Sequence, residues 1–136
     1  MPIVSLDVAG YTRLIQRDES AALQAIHKVF DEIAAATIAE RDGHIFKRMG
    51  DALLAEFPSV VGAVEWVVRL QRHLFEHPVS AGGGETIQLR AGLVMADVML
   101  AGDERYGEGI NLAVRIQGLA PPGGMAISKW MHEYLA

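Results

Sequence analysis

The stretch HIFKRMGDALLAEF, residues 44–57, holds two apolar-rich runs on either side of Gly50-Asp51. Glycine as the first residue of a two-residue loop suits a type II′ turn, whose twist matches that of paired strands. The segment predicts a β-hairpin with the Asp51 carboxylate at its tip. Upstream, Leu23, Ile26, Phe30 and Ile33 recur at helical spacing, with Asp18 or Ser20 as N-cap and Gly43 as C-cap. Downstream, Pro58 and Ser59 open a second helix, which ends near Pro78. Its inner face carries Ala63, Trp66, Val67, Leu70 and Leu74.

The outer segments complete the pattern. IVSLDV, residues 3–8, is short, apolar and rich in β-branched residues, and reads as a buried strand. After the flexible loop SAGGGE, the run TIQLRAGLVM alternates, with Ile87, Leu89, Ala91 and Leu93 on one side and Gln88 and Arg90 on the other. ADVMLAG reads as a returning strand, GDERYGEG as a turn-rich segment, INLAVRIQGLA as a helix stopped by Pro121 and Pro122, and MAIS as a late strand. The predicted class is α+β, with a ferredoxin-like βαββαβ core, a mainly antiparallel sheet and helices on one face.

Composition narrows the function. The chain has 136 residues, enough for one domain with a sizeable core. The net charge of −5 argues against a nucleic-acid-binding domain, which would usually carry a basic patch. Without cysteine there is neither a disulfide framework nor thiolate chemistry. No apolar run approaches the roughly 18 residues of a membrane span, and no signal peptide is evident, so a soluble cytoplasmic domain is expected. The ends look cut: the chain opens just before a strand and stops inside SKWMHEYLA, which reads as a helix. Residues 1–136 are therefore expected to be a single domain truncated at its C-terminus, fused to or regulated by others.

Three sets of residues carry candidate chemistry. Asp7 ends the first strand, and Asp51 stands at the hairpin tip. If these strands are neighbours, the two carboxylates make a site for a hard divalent cation. The Gly10-Tyr11-Thr12 turn after Asp7 offers backbone N–H groups to phosphate. The alternative is an N-cap and a turn aspartate, both common. Asn111 and Arg115 are four apart and share a helix face. Their neighbours are apolar, which predicts a buried arginine with an anionic partner, either phosphate or a carboxylate of the fold or of a partner chain. Lys47 and Glu104 do not stand out from solvated surface charges. GDERYG lacks the Gly-Lys-Ser/Thr of a P-loop, and His73 and His77 lack the glutamate placement of a zinc protease.

Taken together, LDVAGYTRL, HIFKRMGDALLAEF, FPSVVGAVEWVVRLQ and RYGEGINLAVRIQGLAPPGGMAIS resemble, in order and over nearly the whole chain, the class III adenylate/guanylate cyclase catalytic domain, most closely its bacterial branch. The resemblance implies an adenylate cyclase that converts ATP to cyclic AMP and pyrophosphate. It implies two Mg²⁺ or Mn²⁺ ions on Asp7, Asp51 and the Val8 carbonyl. It also implies a homodimer in which Asn111 orients the ribose, Arg115 neutralises the α-phosphate and Arg90 supports the leaving group. Lys47 and Glu104 would read adenine, the first donating to N1 and the second accepting from N6. Guanine presents the opposite donor and acceptor order there. The sequence departs from the family pattern in having Glu104 where Asp or Thr is usual and GLVMA after Arg90. It also ends before the last hairpin, which supplies a lysine for the triphosphate. The competing readings are a guanylate cyclase, a cyclase-like dimerising module without turnover, and a plain α+β domain whose charges pair internally.

Overall fold

The computed structural model describes residues 1–97, 99–101 and 104–135, the side chains of 99–101 and 104–106 excepted. Strand β1 (Pro2–Val8) leads through Gly10 into helix α1 (Tyr11–Arg17), then α2 (Glu19–His27). Asp18 caps α2, its side chain accepting from the Ala21 N–H at 3.1 Å. The helix widens to i→i+5 winding over Lys28–Ala34 and closes through α3 (Ala35–Ile38) and a tight turn at Ala39–Arg41. Strands β2 (His44–Met49) and β3 (Ala52–Glu56) form the expected hairpin, with Met49 opposite Ala52. Gly50 takes the positive φ (+45°) that the loop demands.

Helix α4 (Val60–Glu76) is capped by Ser59, whose hydroxyl accepts from the Gly62 N–H at 3.1 Å. All five residues expected on its inner face are buried. A short ribbon, β4 (Ser80–Gly82) and β5 (Glu85–Thr86), precedes β6 (Leu89–Met95). Strands β7 (Met99–Ala101) and β8 (Glu104–Tyr106), helix α5 (Glu108–Gln117), strand β9 (Met125–Ile127) and helix α6 (Lys129–Leu135) follow.

The main sheet has the order β2-β3-β1-β6-β9. Its first four strands are antiparallel neighbours, which is the expected ferredoxin-like core, while β9 adds a parallel edge to β6. One face buries Val4, Leu6 and Val8 of β1 with Ile26, Val29 and Phe30, and with Trp66, Val67 and Leu70 of α4. Removing a side chain such as Trp66 from this core costs about 3–5 kcal/mol.

Several expectations are corrected. The helices do not all lie on one face. Helix α5 covers the opposite face, where Ile3, Val94, Ala96 and Ala113 form a second apolar cluster with Phe46, Leu112 and Ile116. Gly92 allows this, since a Cβ there would lie 2.4 Å from the Gln117 backbone nitrogen and 2.5 Å from the Ala113 carbonyl oxygen. Among the described residues the segment after Ala96 does not return to the main sheet: β7 pairs with β8, out of the segment expected to be turn. Leu23 is 46% exposed, and Ala22, Ala25 and Ile26 take the inner side of α2. The left-handed residue after α3 is Asp42 (φ 57°) rather than Gly43. Helix α5 stops at Gln117, ahead of the prolines.

Candidate active site

Antiparallel pairing sets Asp7 between Ala52 of β3 and Arg90 of β6. The Val8 N–H donates to the Asp51 carbonyl at 3.0 Å. Asp51 therefore follows β1 on one side as Arg90 does on the other, and all three charged residues gather at the C-terminal end of β1. Arg90 forks onto Asp7: Nε donates to Oδ1 at 3.1 Å and Nη2 to Oδ2 at 2.8 Å. The hydrogen bond to Asp7 raises the Arg90 pKa; burial opposes this, and the charges of Asp7 and then Asp51 add to it. Arg90 thus feels both carboxylates. Gly10, which follows, takes the left-handed conformation (φ 68°) that turns the chain into Tyr11 and Thr12.

Residues opposite one another across a sheet share a face. One row is Met49, Ala52, Asp7 and Arg90; the next is Lys47, Leu54, Ser5 and Gly92. The Ser5 hydroxyl donates to Gln117 Oε1 at 2.9 Å, which identifies this face as the one under α5. Lys47 is exposed on edge strand β2, on the same face as Asp7 and one row away.

Asn111 and Arg115 do share a face of α5, but it is exposed rather than buried. The helix buries Ile110, Ala113 and Gln117 instead, and the side chains of Asn111 and Arg115 make no hydrogen bond or ion pair to a described residue. The expected burial of Arg115 is corrected, and of its candidate partners an internal carboxylate is not found among the described residues. Arg115 lines a surface hollow with Met95, Ala96 and Trp130, at the end of β6 away from Arg90. Five residues at about 3.3 Å each separate Arg90 from Met95, roughly 16 Å. One chain does not bring Arg115 to Asp7. The side chain of Glu104 lies outside the described residues.

A divalent cation fits the donor set at the end of β1. Asp7 and Asp51 and the nearby backbone carbonyls are hard oxygen ligands of the kind Mg²⁺ and Mn²⁺ prefer. The set is two carboxylates and backbone oxygens: no group of three or more His, Cys, Asp or Glu placed to hold a metal forms among the described residues, here or elsewhere. The Asp7–Arg90 fork shows that this carboxylate already draws a cation in the protein alone, so a metal on Asp7 must compete with a guanidinium. Sequence reading missed this pair, because opposite charges across two strands 83 positions apart carry no local signature.

No helix among the described residues is long and apolar enough to cross a membrane. No family model matches the chain. A protein of Rhizobium meliloti (strain 1021) provisionally named adenylate cyclase 3 is 37% identical over 98% of this chain and 23% of its own length. An "Adenylate cyclase" of Streptomyces coelicolor is 27% identical over 95% of this chain and 32% of its own. The chain thus spans about a quarter to a third of these relatives. Among solved structures, an adenylate/guanylate cyclase/hydrolase from Silicibacter pomeroyi superposes with a TM-score of 0.82 at 28% identity, covering 98% of this chain and 77% of that one. By sequence and by fold, the chain belongs with the class III adenylate/guanylate cyclase catalytic domains.

Proposed function

We propose that the domain converts ATP to 3′,5′-cyclic AMP and pyrophosphate at a site shared between two copies of the chain. The observation that carries this reading is the gathering of Asp7, Asp51 and Arg90 at one end of neighbouring strands. Asp7, Asp51 and the Val8 carbonyl would hold two Mg²⁺ or Mn²⁺ ions. When bound, such ions supply a lowered pKa for the ribose 3′-hydroxyl and charge neutralisation at the α-phosphate during in-line displacement.

The chain's own residues do the rest. Gly10, Tyr11 and Thr12 offer backbone N–H groups to the phosphates beside Asp7. Arg90, once released from Asp7, is a planar cation within reach of the departing pyrophosphate, which its fork suits. Asn111 and Arg115 serve the site of the partner copy: Asn111 orients the ribose, and Arg115 offsets the charge that builds on the α-phosphate. Their exposure on α5, without side-chain partners among the described residues, supports that assignment. Lys47 donates to adenine N1 and Glu104 accepts from N6, so ATP is preferred to GTP.

The test is purified protein with Mn²⁺ and ATP, read for cyclic AMP and pyrophosphate. Product that vanishes in Asp51→Ala supports the reading; absence of product from the wild type under these conditions defeats it. The Asp7–Arg90 fork favours a second reading, a cyclase-like module that binds nucleotide without turnover. ATP binding without product would select it. GTP turned over in preference to ATP would assign the domain as a guanylate cyclase.

A further inference from the structure

Asp51 sits in a two-residue turn, and two contacts fix it there. On its C-terminal side, its carbonyl accepts from the Val8 N–H at 3.0 Å. On its N-terminal side, the Gly50 carbonyl accepts from Nη1 of Arg48. The Gly50 C=O and the Asp51 N–H belong to one planar peptide group. The bond to Arg48 therefore sets the plane from which the Asp51 side chain departs. Gly50, at φ +45°, has no side chain to restrain that plane.

Arg48 is itself anchored. Its Nε donates to Asp31 Oδ1 at 3.2 Å, and its guanidinium lies 4.8 Å from the centre of the Phe30 ring. Asp31 Oδ2 meets His27 Nδ1 at 2.8 Å, and Phe30 is fully buried. Phe30 and Asp31 are adjacent in the i→i+5 stretch Lys28–Ala34, a winding often found near functional sites. An exposed ion pair alone would hold little. Here one side chain, 28% exposed, joins an ion pair, a ring face and a charged bond to a carbonyl.

We infer that Arg48 is a positioning residue for Asp51: braced on Phe30 and Asp31, it fixes the Gly50–Asp51 peptide plane and so aims the carboxylate that would take the divalent cation. The choice of ligand rests on the proposed function; the bracing of the turn does not.

The full chain is compared with Arg48→Gln, Arg48→Lys and Asp31→Asn. Arg41→Gln serves as a control, since Arg41 pairs with Glu65 at 3.0 Å, away from the hairpin tip. Hydrogen exchange is read first, on metal-free protein. Amides of residues 49–52 are expected to exchange about tenfold faster in Arg48→Gln, with β1 unchanged. Unchanged exchange at the tip overturns the inference. Mn²⁺ binding without nucleotide is read second, from the paramagnetic signal of the free ion. Affinity is expected to fall about tenfold in Arg48→Gln and less in Asp31→Asn, to recover in part in Arg48→Lys, and to hold in Arg41→Gln. Equal affinity in Arg48→Gln and wild type also overturns it. A wild type that takes up no Mn²⁺ defeats the functional reading, while tip exchange still decides the role of Arg48. If Arg48→Gln does not fold, Arg48→Lys and Asp31→Asn carry the same comparison.

Discussion

Arg90 holds Asp7 with both arms of its guanidinium, at 3.1 and 2.8 Å, across the β1–β6 pairing. Arg90→Gln should therefore separate metal binding from turnover. Without the guanidinium, Asp7 and Asp51 stand together uncompensated, so Mn²⁺ should bind several-fold more tightly and raise the melting temperature more than in wild type. The metal-free variant should lose about 1–2 kcal/mol, since the pair is partly solvated. Cyclic AMP production should nevertheless fall by about 100-fold, because the cation facing the leaving group is gone. Calorimetry with and without Mn²⁺ checks both signs, and weaker metal binding in the variant would show that Arg90 does not compete for Asp7. Asp7 raises the Arg90 pKa, with burial opposing. The arginine side of the pair is then fully stabilising below the unfolded value and lost only above the still higher folded one. No stability change from Arg90 is expected between about pH 5 and 9.

Lys47→Glu tests base selection. Lys47 is exposed on an edge strand, so stability should stay within about 0.5 kcal/mol of wild type. The ratio of cyclic AMP to cyclic GMP, measured with ATP and GTP in competition, should fall by at least about tenfold. An unchanged ratio would place the reading of the purine elsewhere on the protein.

The core of the fold was legible because local and long-range signals agree there. The Gly50-Asp51 turn, the Ser59 cap and the apolar face of α4 each lie within a short window and appear as expected. The placement of α5 was not legible, because its docking depends on what β6 lacks. A glycine in an alternating strand does not announce that a helix will rest against its backbone. The same gap misled the reading of Arg115. Its apolar neighbours suggested burial all round, yet Gln117, a polar residue, is buried while Val114 is 47% exposed. The pairing of Asp7 with Arg90 and the bracing of Gly50 by Arg48 depend on strand order and on a widened helix, neither of which a residue window encodes.

Gly92→Ala should show how closely α5 must sit. The added Cβ would meet backbone atoms of Ala113 and Gln117 at 2.5 and 2.4 Å, which no rotamer change can relieve. The variant should lose about 1–3 kcal/mol in urea unfolding. Any displacement of α5 also strains the buried Ser5–Gln117 hydrogen bond. Cyclic AMP production should fall with it, since α5 carries Asn111 and Arg115. A variant of wild-type stability would mean that α5 can shift outward at little cost.

Mixing two inactive variants tests whether the site is shared. Arg115 is exposed and has no side-chain partner among the described residues, so Arg115→Ala should leave stability within about 0.5 kcal/mol of wild type while cutting turnover by about 100-fold or more. Asp51→Ala should be inactive through loss of a carboxylate at the other half-site. Within one chain, Arg115 lies near Met95, at the far end of β6 from Arg90 and Asp7. A two-fold dimer would instead set Arg115 of one copy over the acidic pair of the other. In such a heterodimer, both lesions fall on the same site and the second site is intact. Random exchange makes half the dimers mixed, each with one working site of two, so activity should recover to about a quarter of wild type. If every site were built from a single chain, every site in the mixture would carry a lesion, and no activity would return.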